Sequence, residues 1–511
     1  MIFQGKEGLR GFIRSTLNSI TARIPEDLRQ EFIGDLVDKS VESNPPDSAG
    51  LIYVPLMLLE VEASKDRSKP MHQIASGFLT YYELFIPEPM EPLILLQNLL
   101  SSGRFSNYVM YESKNSIRIA GNVLAEVSVS TETVSLSYKG QTICTEAISD
   151  PLKQVESALA SLPVKNWTAY GYVGFDISRF YYPYSKAIQQ PLLYFMVPET
   201  EIHITPKGVY VKSIRLPTKI TEVLFGDSQL KDYIATPIVL DFADKQHYQN
   251  QVDTMISAIQ SGQLHKAIIS RHLKVKGNMD VLGTYVLGAK NNNSARSYCL
   301  GLGDVSAVGF SPEIFMKSTA GGFVVTNPLA GTRPRGSSSE EDASLQGELF
   351  SDAKEVKEHA LSIWLAQSEM ASVCLPQTVQ ILDFMEVKKY RTVQHLSSQV
   401  GGQLKQGLTS WDAMKALFPG ITVSGIDKHR ALEWIDRLED EPRGLYAGAI
   451  GYINSEGASD LAIAIRSAYQ YGDSVYLNAG AGIVAESLPE REYIESVNKM
   501  NTMLTNLVMK S

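Results

Sequence analysis

Residues 116–140, which read SIRIAGNVLAEVSVSTETVSLSYKG, constrain the fold more than any other part of the chain. Apolar and polar residues alternate with period two, and only turn-forming residues separate the alternating runs. We expect turns at Gly121–Asn122 and near Thr131. Strands joined by such short turns pair antiparallel, because a parallel pair needs a crossover of a dozen or more residues.

The rest of the chain mixes strands and helices without a regular β-α-β alternation. Apolar runs predict buried strands at 170–176 and 191–197, and an amphipathic helix is predicted to end at Gly262. Residues 335–346 have small and charged side chains and no apolar period, and they are expected to be the most mobile stretch. Further helices are predicted at 352–371, 427–439 and 489–508, and further strands at 446–453, 460–468 and 473–478. These patterns favour an α+β fold with largely antiparallel sheets over a doubly wound fold.

A chain of 511 residues is too long for one ordinary core, so we expect more than one structural unit. Residues 1–105 are predicted to form a helix-rich N-terminal extension, with periodic segments near 25–38 and 91–101. Residues 106–242 and 243–511 are predicted to form the two parts of the main fold.

Composition limits the partners. The chain is 44% apolar and 20% charged with a formal net charge of −9, so neither nucleic acid nor an anionic membrane is expected as its main partner. No window approaches eighteen consecutive apolar residues, and the N-terminus lacks the apolar run of a secretory signal. The three cysteines are scattered and form no CxxC pair, which favours a reducing, cytoplasmic location.

Lys266 is an unusual residue in the predicted strand GQLHKAIISRHLKV, residues 262–275. With period two, one face of this strand carries Leu264, Lys266 and Ile268. A lysine between two apolar residues has two interpretations. In the first, the side chain lies along the apolar surface and its ammonium group reaches solvent from a strand end. In the second, this face of the strand is a pocket wall and the amine faces a ligand.

A second candidate lies in the predicted helix PEREYIESVNKMNTML. Glu492 and Glu495 project from one face, and Lys499 follows four residues after Glu495. The face is either a solvated stripe or part of a Mg²⁺ site, since Mg²⁺ takes a few carboxylates and keeps water and substrate oxygens. Gly480 and Gly482 precede the helix, and we expect a glycine turn there that suits an anion.

Other candidates stand alone in sequence. Arg466 and Tyr446 could clamp a carboxylate, Glu313 lies in an apolar setting, and Glu358 lies in a predicted helix. His395 is predicted in or beside a strand, as a hydrogen-bonded core residue or as a catalyst.

These segments, taken in order, resemble the chorismate-utilising enzymes, which comprise anthranilate, aminodeoxychorismate, isochorismate and salicylate synthases. The matching segments are KAIISR, SPEIF, NPLAGTRPRG, KEHALSI, QHLSSQVGGQL, FPGITVSGIDKHRALEWIDRLE, PRGLYAGAIGY, DLAIAIRSA and NAGAGIVAESLPEREYIESVNK. The resemblance is dense over about 245–505. It implies an anthranilate synthase component I-like fold of two face-packed antiparallel sheets with helices outside, and an active site between the halves.

The resemblance also implies a substrate, a cofactor and residue roles. The substrate would be chorismate, and Mg²⁺ would bridge its ring carboxylate. Glu358 and Glu495 would be metal ligands, and Glu492 a ligand directly or through water. Tyr446 and Arg466 would bind the enolpyruvyl carboxylate. Gly331 and Thr332 would line the ring. The ring carboxylate or the metal would be held by Gly480, Ala481, Gly482 and Lys499. His395 is counted with the catalytic candidates.

Three positions separate the branches of the family. A lysine at the position of Lys266 resembles the members that add water at ring C2, where it acts as general base. Glu313 would then protonate the departing C4 hydroxyl, which requires a raised pKa, and the product would be isochorismate. Thr422 resembles the members that go on to eliminate pyruvate. Ala330 replaces the lysine typical of aminodeoxychorismate synthases.

These residues favour a Mg²⁺-dependent salicylate synthase that supplies a siderophore or another salicylate-derived product. An isochorismate synthase that stops halfway is the alternative. An anthranilate synthase component I with a separate glutaminase subunit is disfavoured by Lys266, so no glutaminase subunit is expected. Cys299 is interpreted as structural rather than as a glutaminase nucleophile. The other class of hypothesis is a catalytically inactive homologue that binds chorismate or a partner protein. The sequence gives no oligomeric state.

Overall fold

A computed structural model describes residues 78–87, 90–182, 185–215, 228–238, 244–391 and 393–510. The predicted helix near 25–38 lies outside these residues. The helices are α1 Pro92–Ser101, α2 Pro151–Ala160, α3 Lys245–Gln260, α4 Val281–Asn291, α5 Ser339–Ser351, α6 Ala353–Val373, α7 Ser410–Leu417, α8 Lys428–Leu438 and α9 Pro489–Leu504, with short 3-10 helices at Phe175–Phe180 and Pro376–Thr378. The strands are β1 Tyr82–Ile86, β2 Tyr108–Ser113, β3 Ser116–Val129, β4 Thr133–Tyr138, β5 Gln141–Ala147, β6 Thr168–Val173, β7 Leu193–Thr205, β8 Gly208–Ser213, β9 Lys266–Lys276, β10 Arg296–Leu302, β11 Val305–Ser311, β12 Ile314–Ser318, β13 Phe323–Thr326, β14 Leu329–Pro334, β15 Gln380–Lys389, β16 Val393–Gln403, β17 Gly425–Ile426, β18 Ala449–Asn454, β19 Ser459–Ile463, β20 Ser467–Tyr471 and β21 Ser474–Ile483.

The strands form one continuous network with two wings. In the first wing the order is β2, β10, β11, β20, β21, β9 and β17, and every neighbouring pair is antiparallel. In the second wing the order is β6, β18, β19, β12, β13 and β16, also antiparallel. The long strands β3 and β7 pair with each other and join the wings, because β3 pairs with β2 and β7 pairs with β6.

The wings pack face to face around an aromatic core. Tyr298 of the first wing and Tyr170 of the second belong to one apolar cluster. A buried ion pair supports the same contact, because Arg296 Nη2 of β10 lies 2.7 Å from Asp460 Oδ2 of β19. The Tyr111 hydroxyl of β2 also donates to Asp460 Oδ1, at 2.9 Å.

Helices cover the outer faces of both wings. In β10, Tyr298 faces the core between the wings, whereas the neighbouring Cys299 faces a second cluster formed with α1, α4 and α9. Helices α2, α3, α6, α7 and α8 contribute to a third cluster. The predicted fold class is therefore confirmed, and the structure adds that hydrogen bonds connect the two face-packed halves.

Two local predictions were wrong. Strand β3 runs through Gly121–Asn122 without a turn: Asn122 has a φ of 61°, but its neighbours Gly121 and Val123 stay in register with β7, and the β-bulge lies later, between Val123 and Ala125. The strand predicted at 460–468 is two strands, β19 and β20, separated by a corner at Arg466. Part of the stretch 335–346, expected to be mobile, belongs to helix α5, which is capped by the Ser338 side chain.

Helix α1 fits the predicted periodic segment near 91–101, and β1 pairs with β8 of the main sheet. The boundaries of the predicted units remain a prediction. Within the described residues, no helix is both long and apolar enough to cross a membrane.

Candidate active site

Strand β9 places Lys266 in the interior. Its side chain is only 2% exposed, and Nζ lies 2.7 Å from Glu358 Oε1 of α6. Helix α6 packs on β14 and β16, which belong to the second wing, so this ion pair crosses from one wing to the other. Gly482 of β21 makes the contact possible: a Cβ there would lie 3.1 Å from Glu358 Oε1 and 3.2 Å from Lys266 Cε.

Glu313 lies just before β12 and is 4% exposed. Its Oε1 accepts hydrogen bonds from the Thr422 hydroxyl at 2.7 Å and from the Leu329 N–H at 3.3 Å. Burial raises the pKa of Glu313 to about 7, although these two bonds and the charges of Lys266 and Lys499 act to lower the pKa. The carboxyl group is therefore poised to carry a proton near neutral pH, as the sequence predicted for an acid.

Glu495 and Lys499 form a second ion pair on α9. Lys499 Nζ lies 2.6 Å from Glu495 Oε1 and also donates to the Gly480 carbonyl at 2.9 Å. Glu492, one turn earlier, is 3% exposed, so the predicted face of α9 is not a fully solvated stripe. The predicted glycine turn is wrong, because Gly480, Ala481 and Gly482 lie in the extended strand β21 and the turn follows at 484–488.

His395 is part of β16 and is paired with Thr332 of β14. Its Nδ1 shares a hydrogen bond with Thr332 Oγ1 at 2.9 Å and lies 3.3 Å from the Gly331 carbonyl. Burial lowers the pKa of His395 to about 3, so the ring is neutral. Its buried Nε2 finds no hydrogen-bond partner among the described residues, which leaves a polar atom for a ligand.

Tyr446 and Arg466 sit at unusual backbone positions. Arg466 has a φ of 50° and Ala447, next to Tyr446, has a φ of 64°, both in the left-handed region. Such conformations persist where the surroundings enforce them, often at functional sites. Burial raises the pKa of Tyr446 to about 12 and lowers the pKa of Arg466, while the charge of Glu495 acts on both groups. Arg466, Tyr446 and Glu495 thus share one electrostatic environment.

Sequence reasoning missed a buried network that fixes this site. Arg443 donates to the carbonyls of Val423 and Ile268, each at 2.7 Å, and pairs with Glu439. The Ser270 N–H also donates to Glu439 Oε1, at 2.7 Å. The loop that carries Thr422 is thereby fastened to the strand that carries Lys266. A charged pair four residues apart, Glu439 and Arg443, was the available signal.

Glu355 was missed as well. Its Oε1 lies 3.6 Å from Arg333 Nη1, and its Oε2 would contact a Cβ at Gly331 at 3.1 Å. Gly331 forms a bulge in β14 with a φ of 76°, which only glycine adopts easily. Glu355 lies three residues before Glu358, as Glu492 does before Glu495. This repeated spacing could have identified Glu355 from the sequence.

The carboxylates match magnesium in chemistry. Carboxylate oxygens are hard ligands of the kind Mg²⁺ prefers, and Glu358 and Glu495 are each held by a lysine that offsets their charge. In the described part of the chain, no three His, Cys, Asp or Glu side chains converge as a complete metal cage. Mg²⁺ seldom needs one, because it usually binds through one or two carboxylates with water and substrate oxygens. The residues present therefore fit this ion.

The raised pKa of Glu313 predicts a pH-dependent stability that Glu313→Gln should remove. The native pKa of about 7 lies above the value of about 4.3 in an unfolded chain, so the native state binds more protons between these values. Wild-type stability should fall as pH rises through this window. Urea unfolding at pH 5 and pH 8 should show that the variant gains about 1–3 kcal/mol relative to wild type at the higher pH. The raised pKa of Glu313 would be contradicted if the variant and wild type differed in free energy of unfolding by the same amount at both pH values. It would also be contradicted if the exposed control Glu456→Gln showed the same gain.

Comparisons with known proteins find relatives over most of the chain. Residues 106–505 match the family model described as chorismate binding enzyme. The chain is 33% identical over 434 residues to a salicylate synthase of Mycolicibacterium paratuberculosis, covering 83% of this chain and 96% of that protein. It is 42% identical over 249 residues to anthranilate synthase component 1 of Thermococcus kodakarensis, covering 49% of this chain and 57% of that protein.

Solved structures agree with the fold. Anthranilate synthase component I from Streptococcus pneumoniae superposes with a TM-score of 0.67 at 30% identity, covering 76% of this chain and 92% of that one. The menaquinone-specific isochorismate synthase from Escherichia coli gives a TM-score of 0.65 at 20% identity, covering 83% and 94%, and supports the fold alone. Since the family match spans most of the sequence, the chain belongs to the chorismate-binding enzyme family.

Proposed function

We propose that the protein is a Mg²⁺-dependent salicylate synthase that converts chorismate through isochorismate to salicylate and pyruvate. The observation that carries the proposal is the combination of a buried amine at Lys266 with a buried carboxyl at Glu313 whose pKa is about 7. The similarity to a salicylate synthase over most of both chains supports the same choice. The salicylate would serve a siderophore or another salicylate-derived metabolite.

In the first half-reaction, water adds at ring C2 and hydroxide leaves from C4. Lys266, as general base, takes a proton from the attacking water, and Glu313 gives its proton to the leaving hydroxyl. The double bonds of the ring shift, so one C–O bond forms while another breaks. Thr422 and the Leu329 N–H orient the Glu313 carboxyl group through hydrogen bonds to Oε1.

In the second half-reaction, isochorismate loses pyruvate in the same pocket. This step transfers a hydrogen within the substrate while the C–O bond breaks, so it needs orientation and exclusion of water rather than another base. Tyr446 and Arg466 would hold the enolpyruvyl carboxylate, Gly331 and Thr332 would contact the ring, and the partnerless Nε2 of His395 offers a further polar contact.

Glu358 and Glu495 would hold Mg²⁺, with Glu492 acting directly or through water. Bound there, the ion would neutralise the ring carboxylate and fix its orientation. The backbone of Gly480, Ala481 and Gly482, together with Lys499, would complete the binding of that carboxylate. Lys499 already contacts the carbonyl of Gly480, so strand β21 and helix α9 hold their relative positions.

An isochorismate synthase that stops after the first half-reaction is the alternative, because Lys266 and Glu313 are assigned to that half-reaction alone. An ammonia-using anthranilate synthase is less well supported, because Lys266 occupies the interior. Cys299 also argues against an intrinsic glutaminase, since the thiol is fully buried and burial raises its pKa.

Product analysis distinguishes these activities. Purified protein incubated with chorismate and Mg²⁺ is expected to release salicylate and pyruvate in equal amounts, measured by salicylate fluorescence and a coupled pyruvate assay. Accumulation of isochorismate without pyruvate would support the alternative. Anthranilate formed only when ammonium is added, or chorismate binding without turnover, would contradict the proposal.

Lys266→Ala is expected to separate the half-reactions. Water addition to chorismate should fall by about 10²-fold or more, because the general base is gone. Pyruvate release from supplied isochorismate should persist, since that step needs no base from the protein. The control is Lys274→Ala, an exposed lysine of the same strand. Equal loss of both half-reactions in the Lys266 variant, with a folded protein, would mean that the lysine is structural.

Glu495→Gln tests the metal site. Replacing a proposed ligand carboxylate should raise the Mg²⁺ concentration for half-maximal activity by about tenfold or more, and calorimetry should show the same loss of Mg²⁺ affinity. Glu490→Gln is the matched control, because Glu490 lies on the same helix but is paired with Lys245 at the surface. Unchanged metal titrations would remove Glu495 from the site.

A further inference from the structure

A narrow cavity lies beside the Glu313 carboxyl group. Its lining includes Glu313, Thr422, Thr326, Ala366 and Glu369, and it offers about 10 Å³ to the centre of a water molecule. That is room for about one water molecule, and a water in such a place needs two to four polar partners. The two carboxylates and the two hydroxyl groups of this lining supply them.

Glu369 takes no part in the proposed chemistry described above, yet it is held in place. It lies on α6 eleven residues after Glu358, about 16 Å along the helix, so it is remote from the proposed metal ligands. Its Oε1 pairs with Lys428 Nζ at 2.6 Å, and Lys428 also donates to the Leu417 carbonyl at 2.9 Å. The ion pair thus fixes the Glu369 carboxylate at the cavity wall.

The proposed reaction creates a need for such a group. Each turnover leaves Glu313 deprotonated, and a side chain that is 4% exposed has little direct access to solvent protons. The side chain of Glu369 is 13% exposed and therefore reaches closer to solvent while lining the same cavity. We propose that Glu369 and one water molecule in this cavity form the path by which Glu313 regains its proton.

This inference rests on the proposed function, because only an acid that is consumed must be restored. Glu369 takes a proton from solvent and passes it to the cavity water, and that water gives one of its own protons to Glu313. Lys266, which gained a proton from the attacking water, returns it to solvent. Protons are thereby conserved over the cycle, and no oxidant or further reactant is needed.

The charges around both carboxyl groups are compatible with this path. Glu313 is influenced by the cations Lys266 and Lys499 and lies near the phenol of Tyr390. Lys428 and the phenol of Tyr182 face Glu369. Burial raises the pKa of Glu369 from its ordinary value despite the lysine, which is the direction that a proton carrier requires.

Glu369→Gln tests the path, with chorismate and Mg²⁺ as the assay. The kcat for isochorismate formation should fall by about tenfold at pH 8 and by about twofold or less at pH 6, because proton return limits turnover where protons are scarce. The KM for chorismate should stay within about twofold, and the solvent deuterium isotope effect on kcat should increase. Glu369→Asp, which keeps the carboxyl group, should recover most of the rate at pH 8.

A single charge removal can destabilise the fold, because it leaves Lys428 without its buried partner. The double variant Glu369→Gln/Lys428→Met removes both charges and should show the same pH-dependent loss of kcat. A control is Arg179→Met/Asp176→Asn/Asp436→Asn, which removes another buried set of paired charges, with Arg179 Nη1 at 2.7 Å from Asp436 Oδ1 and Arg179 Nε at 3.0 Å from Asp176 Oδ1. That variant should keep the wild-type pH profile.

The outcomes are distinct. A kcat that is unchanged, or lowered equally at every pH with an unchanged isotope effect, would overturn the path and leave the ion pair a purely structural contact. Recovery of kcat at pH 8 in the double variant would overturn it too, because the loss would then come from the unpaired lysine. If wild-type protein forms no isochorismate or salicylate, the proposed function fails and the path fails with it.

Discussion

The buried contact between Lys266 Nζ and Glu358 Oε1 is the interaction on which the site depends. Placing an ammonium group in the interior costs several kcal/mol unless a carboxylate accompanies it. Here the carboxylate comes from a helix packed on the opposite wing, so the ion pair links the two wings where they meet. The same contact keeps the amine in the interior rather than letting it reach bulk solvent.

Several other constraints hold the neighbouring groups. Arg443 fastens the loop before β17 to strand β9 through two carbonyl groups, which keeps Thr422 within hydrogen-bond distance of Glu313. Left-handed backbone at Arg466 and at Ala447 turns the chain where the proposed carboxylate clamp is built. These contacts fix the proposed catalytic groups within the fold, which is the arrangement that electrostatic preorganisation requires.

The sequence predicted the fold class and most elements because the periodic patterns are strong, as in α3 with its buried Tyr248, Val252 and Met255. It failed where tertiary contacts override local signals. Asn122 has the left-handed backbone of a turn residue but lies within the long strand β3, and Gly480 and Gly482 serve close packing in β21 rather than a turn. Turn propensity alone does not distinguish these cases.

The site candidates came mainly from the resemblance. The structure brings several of them into contact: Lys266 with Glu358, Thr422 with Glu313, His395 with Thr332, and Lys499 with Glu495 and Gly480. Their catalytic roles remain predictions. Glu355, Glu369 and Arg443 were not found from sequence, because each looks like an ordinary charged residue on a helix or in a loop. Their significance comes from partners far away in the chain.

The central claim is that water supplies the oxygen at ring C2 through Lys266 and Glu313. The most direct measurement is turnover of chorismate in ¹⁸O-labelled water, followed by mass spectrometry of the product. The account predicts one labelled oxygen in the ring hydroxyl of isochorismate or salicylate, and far less labelled product from Lys266→Ala with chorismate. A product hydroxyl without solvent oxygen, formed by the wild-type protein, would contradict it.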